Sequence, residues 1–113
     1  MHELSLSEGI VTLVAECAAR EGIARVSRVT VDIGAASAVD PDALVFCFPI
    51  TADGTVAAGA ELVVNRIAVQ ARCAGCGTDY APATPIAPCP ACGSHARTLL
   101  RGREMRVASF EGE

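Results

Sequence analysis

Two cysteine pairs, Cys73-Ala-Gly-Cys76 and Cys89-Pro-Ala-Cys92, with twelve residues between them, restrict this chain more than any other feature. Two residues between cysteines let one tight turn present both sulfurs to a single ion, and tetrahedral zinc takes four such ligands. Gly77 and Gly93 directly follow the pairs and permit the tight backbone whose N–H groups donate to thiolates. Cys73, Cys76, Cys89 and Cys92 are therefore read as a structural zinc site. Four thiolates fill the tetrahedron and leave no position for water or substrate, which argues against zinc catalysis. A redox CxxC would instead ask for one reactive pair beside a helix start. The apparent binding energy of such sites, roughly 10 to 16 kcal/mol, matches or exceeds the stability of a typical domain, so this segment is expected to unfold without metal. Backbone amides, with Arg72 or Arg97, are the groups available to offset the net negative charge of the cluster.

At 113 residues the chain supports one modest core and one helper module. Hydrophobic residues make up 51% of it, yet aromatics are only 4% and Trp is absent, so the core must be built from Val, Leu, Ile and Ala. The net charge of −4 is uneven: residues 1–67 carry four Arg against nine acids, and residues 68–113 five Arg against four acids. Nucleic-acid affinity depends on clustered positive charge, and Tyr80 is the only aromatic of the cysteine segment, so nucleic-acid binding is not expected. The start, Met1-His2-Glu3-Leu4, lacks a basic leader with a long apolar stretch, and the apolar run Ile10 to Ala15 is far too short to cross a membrane. The expectation is a cytoplasmic protein in which cysteines are ligands or buried thiols rather than disulfides. Cys17 and Cys47 read as buried small apolar residues, and His95 as a solvated loop histidine.

Leu6, Ile10, Leu13, Val14 and Cys17 recur at helical spacing, which predicts an amphipathic helix from Leu4 to Arg20, with a Ser5/Glu8 capping box and Gly22 as its stop. Arg28 to Ile33 alternates polar and apolar as a half-buried strand does. Asp40, Pro41 and Asp42 provide a cap, a helix-ready φ and a charge that suits the helix dipole, so a second helix should run from Pro41 to about Thr51. Leu62, Val64, Ile67 and Val69 read as one strand continuing to Arg72, and Glu104 to Phe110 as a third strand returning to the first sheet. The fold class is α+β: a three-stranded sheet packed by two helices on one face, with an inserted four-cysteine zinc-ribbon-like module. Residues 1–70 and 102–113 would form the α+β domain and residues 71–101 the zinc-binding domain.

His2 stands where its imidazole can cooperate with the terminal amine. The amine of Met1, the amide nitrogen of His2 and the His2 ring can close adjacent small rings around one ion, with the Glu3 amide or another donor as the fourth. Nitrogen donors in one plane suit Ni(II) or Cu(II) better than Zn(II) or Mg(II). Met1 is expected to be retained, because a second residue as large as His blocks removal of the initiator methionine. No cluster of acids, histidines or nucleophile motifs suggests an enzyme.

Met1-His2-Glu3-Leu4-Ser5-Leu6, the stretch Ile33-Gly34-Ala35-Ala36-Ser37-Ala38-Val39-Asp40, the cysteine pairs and Gly102-Arg103-Glu104-Met105-Arg106-Val107 together make the chain resemble the HypA/HybF family of nickel metallochaperones for hydrogenase maturation. The resemblance implies transferable Ni(II) held by Met1, His2 and nearby amides beside a structural Zn(II). Glu3 would support the nickel site or a protein contact, and Asp40 would lie near it, although Asp40 reads equally well as a helix cap. It further implies a nickel-associated GTPase maturation partner and delivery to the large subunit of [NiFe]-hydrogenase; some relatives also serve urease, which adds urease maturation proteins to the expected partners. The rival reading is a zinc-ribbon module that binds protein or nucleic acid without metal transfer.

Overall fold

The computed structural model describes residues 2–84 and 86–113. Its elements run α1 (Glu3–Arg20), β1 (Val26–Gly34), α2 (Pro41–Ala52), β2 (Glu61–Ile67), β3 (Gln70–Cys73), β4 (Asp79–Tyr80), β5 (Arg97–Arg101) and β6 (Met105–Gly112). β1 is the central strand of a sheet ordered β2-β1-β6, parallel to β2 and antiparallel to β6. The parallel pair requires a crossover, which α2 supplies. A second sheet, ordered β4-β3-β5 and antiparallel throughout, holds the cysteine segment. The α+β class and the two helices on the three-stranded sheet agree with the sequence reading.

α1 starts earlier than periodicity predicts. His2 is its N-cap, without a side-chain cap bond, so Ser5 lies inside the first turn and the expected capping box has no helix end to close. At the other end the Ile23 N–H donates to the Ala18 carbonyl (2.9 Å) and the Gly22 N–H to the Ala19 carbonyl (3.4 Å), with Gly22 at φ 70°. That double closure is the Schellman stop that a glycine at this position allows. α2 is capped as expected: Asp40 Oδ1 accepts from the N–H groups of Asp42 (3.0 Å) and Ala43 (3.4 Å), and Pro41 opens the helix.

Ile10, Val11, Val14 and Ala18 of α1 and Leu44, Phe48 and Ala52 of α2 bury against Val29, Val31 and Ile33 of β1. Ser7 is fully buried between the helices and meets Thr51 at 2.6 Å. Thr51 spends its own hydroxyl proton on the Phe48 carbonyl (3.1 Å), so Ser7 is the donor. Leu13, expected on the core face, is 45% exposed; Ile10, Val14 and Ala18 at three- and four-residue spacing set the core direction, and Leu13 falls beside it. The opposite face of the sheet is polar. There Arg28 pairs with Glu61 (2.9 Å) and Glu111 (3.2 Å), and Asp32 accepts from Asn65 (3.1 Å) and Arg106 (3.0 Å).

The single strand read from Leu62 to Arg72 is two strands in different sheets, separated by Ala68 and Val69. Alternation continued through the break, so a one-dimensional pattern could not locate it. The reason is a close backbone crossing. A Cβ on Gly34 would lie 2.1 Å from the carbonyl atoms of Gly102, and one on Gly102, at φ 116°, would lie 2.8 Å from Val69. Hydrogen bonds from Gly34 to Glu104 (2.8 Å), Ala35 to Ile67 (2.9 Å) and Ala36 to Gly102 (2.7 Å) tie the end of β1 to both chain segments that connect the sheets. The Glu104 carboxylate, held below the usual range by its own N–H and that of Gly102, closes the crossing from within. The result is elongated, 54 × 25 × 16 Å, with a radius of gyration of 17.4 Å against about 13 Å for one compact globule of similar length.

Two outcomes are expected. Gly34→Ala should destabilise the chain by about 3 kcal/mol, because a backbone-to-backbone overlap has no side chain to yield; a denaturant midpoint equal to wild type would contradict the crossing. Asp32 has its carboxyl lowered by the Asn65 amide first and Arg106 second, so its contribution is present above the ordinary carboxylate range and lost as pH falls through the lowered value. Asp32→Asn should therefore cost about 1 kcal/mol at pH 7, with the gap to wild type in urea melts closing as pH falls from the ordinary carboxylate range through the lowered value.

Candidate metal centres

β3 delivers Cys73 at its end, and the Cys73 N–H bonds the Thr78 carbonyl (2.9 Å) while Gly77 N–H returns to the Cys73 carbonyl (3.0 Å). The second pair repeats this turn: Cys89 N–H to Ser94 (2.9 Å) and Gly93 N–H to Cys89 (2.8 Å). Gly77 and Gly93 both sit at φ 76°, where a Cβ would be strained. The two turns therefore present four sulfurs from one template, and all four lie within 4.8 Å of one another. Cys73 and Cys92 are 3.5 Å apart and Cys76 and Cys89 3.7 Å apart. Thiolates around a tetrahedral ion at about 2.3 Å stand about 3.8 Å from each other. The donor set thus fits one ion of zinc-like size and geometry.

Electrostatics make the same point. The Thr78 hydroxyl, then its N–H, holds the Cys76 thiol down to about 6. Cys73 is lowered by the amides of Cys76 and Gly75, which meet its sulfur at 3.4 and 3.3 Å. Cys92 goes the other way: the Ser94 N–H lowers it, but the adjacent Cys73 and Cys76 sulfurs and burial outweigh this and push it up to about 12. Four sulfurs this close shed their last proton only to a cation, so metal binding replaces protons. Arg72 is not a counter-charge here, because its guanidinium is spent on Asp79 at 2.8 Å. Arg97 donates to the Ala87 carbonyl (3.0 Å), and the amides of Gly75 and Cys76 stabilise the Cys73 sulfur directly.

Little else supports the second sheet. Its buried cluster is Ala71, Cys73, Tyr80 and Cys89, with Leu99 packed against it, and the Tyr80 hydroxyl is buried with no partner among the described residues. His95 is exposed and outside the sulfur cluster. Cys17 and Cys47 are half-buried on the helices, with the Arg20 guanidinium 3.2 Å from the Cys17 sulfur.

At the other end of the molecule, Met1 lies outside the described residues. His2 is exposed at the start of α1. Glu3 is the first helical residue, and its Oε2 accepts the Asp40 backbone N–H at 3.2 Å. The N-termini of both helices are thereby brought together, with Asp40 capping α2 through its carboxylate and touching Glu3 through its amide. Sequence spacing places Glu3 and Asp40 at the starts of separate helices; the fold joins them through this one hydrogen bond. The loop leading there is under tension, since Ala38 takes φ 66°, at a cost of about 1–2 kcal/mol for an L residue. The side chains of Glu3 and Asp40 are thus held by hydrogen bonds to the start of α2, while the His2 side chain makes no cap bond.

Comparison with known proteins gives a consistent result. The model of a family described as hydrogenase/urease nickel incorporation, metallochaperone, HypA matches residues 1–112. The chain is 40% identical over 111 residues to a hydrogenase maturation factor HypA from Rhizobium leguminosarum bv. viciae, covering 98% of each. It is 41% identical over 110 residues to one from Chlorobium limicola, covering 97% of this chain and 95% of the relative. The solution structure of the Ni metallochaperone HypA from Helicobacter pylori superposes with a TM-score of 0.71 at 30% identity, over 99% of this chain and 97% of that one.

Tyr80 is the only Tyr and no Trp is present, so tyrosine emission reports the cysteine sheet alone. Removal of metal by a chelator at neutral pH should change that emission and abolish the β3–β5 amide dispersion in NMR spectra while leaving the β1 amides in place. Unchanged tyrosine emission in a metal-free sample would show that the second sheet stands without an ion.

Proposed function

The chain belongs to the HypA family of metallochaperones, and on that premise we propose that it binds Ni(II) at its N-terminus and delivers it during maturation of [NiFe]-hydrogenase. It is a maturation factor rather than an enzyme. The observation that carries the reading is the state of His2: an exposed N-cap whose side chain makes no cap bond, next to the terminal amine.

The helix start makes the chelate inexpensive. The first intrahelical bond is Leu6 N–H to the His2 carbonyl (3.1 Å), and the N–H groups before it have no partner within the helix. Nickel can therefore take the His2 and Glu3 amides as donors without breaking a helix bond. The positive end of the helix dipole opposes a bare divalent cation there. Deprotonated amides, with the carboxylates of Glu3 and Asp40 nearby, counter that opposition. Confinement is slight, because the donors sit on the first residues of an exposed terminus, and slight confinement suits an ion that must be handed on. Copper would bind these donors more strongly than nickel, so selectivity rests with partners and supply.

Zinc, bound by Cys73, Cys76, Cys89 and Cys92, would contribute folding energy and no chemistry, since its shell is closed. In this reading residues 71–101 act as the zinc-binding unit and residues 1–70 with 102–113 as the nickel-binding unit. The proposed partners are a nickel-associated GTPase and the hydrogenase large subunit, with urease maturation proteins as further candidates. We place the protein in the cytoplasm; six unpaired cysteines suit a reducing compartment, and no described helix is long and apolar enough to cross a membrane.

Calorimetric nickel titration of three proteins tests the chelate: the native chain, His2→Ala, and the chain with residues added before Met1. The expected result is loss of the nickel isotherm in both altered proteins, with zinc content and far-UV circular dichroism unchanged. Nickel binding retained at full strength in either would sink the assignment.

A further inference from the structure

α2 is apolar on every side. Leu44, Phe48 and Ala52 face the core, yet Phe46 is 75% and Ile50 62% exposed, with Val45 at 44%. Phe46 and Ile50 are one turn apart and share a face, which Val45 and Pro49 widen. A helix that is hydrophobic all round is normally buried all round, and α1 and the sheet together cover only one side of this one. Contiguous exposed apolar surface with a polar rim marks an interaction site.

The rim here is net acidic. Asp42 and Asp53 extend the Phe46 and Ile50 stripe at either end, at spacings of four, four and three, both are exposed, and α2 contains no basic residue. Arg66 of β2 reaches Asp42 from the side at 3.0 Å, whereas Asp53 makes no ion pair among the described residues. A second copy of this chain fits poorly: two α2 helices packed face to face in antiparallel fashion set Asp42 of one against Asp53 of the other, on molecules that each carry a net charge of −4. Charge complementarity points instead to a different protein that offers apolar side chains flanked by Lys or Arg.

Position selects among such proteins. Asp40 caps α2 and its amide contacts Glu3, so this helix begins beside the N-terminal turn of α1. At about 1.5 Å per residue, Phe46 lies only about 9 Å along the axis from that point. A metal passes between proteins by ligand exchange, which requires donor and acceptor ligands to reach one ion. We propose that the Val45, Phe46, Pro49 and Ile50 face of α2 docks the protein that receives nickel, through an apolar ridge with basic flanks, and so holds the recipient's ligands over His2. This rests on the N-terminal nickel reading above and adds to it the surface on which transfer occurs.

The test measures docking without nickel, so that loss of the chelate and loss of docking remain separate results. The zinc-loaded, nickel-free chain is titrated against a purified, nickel-free large-subunit precursor of [NiFe]-hydrogenase. Phe46→Asp with Ile50→Asp should weaken binding by at least about tenfold, and Phe46→Ala with Ile50→Ala by a smaller factor in the same direction. Both positions are exposed, and zinc content and circular dichroism confirm folding. Asp42→Asn with Asp53→Asn should reduce the salt dependence of binding more than its strength at high salt. Wild-type affinity in the Asp variant overturns the proposal. So does a wild-type chain that sediments as a dimer dispersed by the same substitutions, which would make the occupant a second copy, and so does docking of the GTPase in place of the precursor on this face.

Discussion

The rest of the molecule depends on β1 being paired on both of its edges. β2 enters the cysteine segment and β6 leaves it, and both lie against the same central strand. That pairing closes the insertion at its base and brings Ile67 and Glu104 to the end of β1, where Gly34 and Ala35 bond them. Glycine at positions 34 and 102 is what lets the two backbones cross there, since either Cβ would fall inside its neighbour. From the crossing the chain runs through the strained Ala38 to Asp40, and Asp40 meets Glu3. One continuous stretch of backbone therefore spans from the base of the cysteine sheet to the start of α1.

The sulfur cluster and the proposed N-terminal site differ in how tightly each is built. The sulfur cluster is preorganised by two equivalent turns, amide donors and buried Cys73 and Cys89. A metal held there would substitute for a hydrophobic core that the second sheet lacks, because Ala71, Tyr80 and Leu99 alone are too few to order that many residues. The N-terminus has the opposite character. On the proposed reading its donors are backbone amides the helix leaves free and a histidine ring in solvent, so binding would rearrange little and release would be equally easy.

Local chemistry made much of this legible. The CxxC spacing and its following glycines carried the sulfur cluster, Asp40-Pro41-Asp42 carried the start of α2, and Gly22 the end of α1, because each depends on residues within one turn of each other. Errors came where a distant contact decided. The capping box failed because α1 gains its first turn from packing and the His2 carbonyl rather than from Ser5. The break at Ala68 and Val69 was invisible because both halves of Glu61 to Cys73 have strand chemistry. β5, Arg97–Arg101, was missed although Thr98 and Leu99 are compatible with a strand; its partner in β3 lies a whole metal loop away in sequence.

The sequence by itself pointed to two CxxC turns whose four sulfurs could meet at one ion and, for the proposed nickel site, to a histidine at position 2. These are properties of short segments, set by covalent reach and turn geometry. Tertiary structure alone decided that the Gly34 and Gly102 segments cross, that the Asp40 amide bonds the Glu3 carboxylate, and that α2 buries Phe48 while leaving Phe46 and Ile50 in solvent. Neighbouring apolar residues on a helix of uniform hydropathy carry no mark of which side will be covered; only the packing of α2 against β1 and α1 assigns one face to the core and leaves the other in solvent.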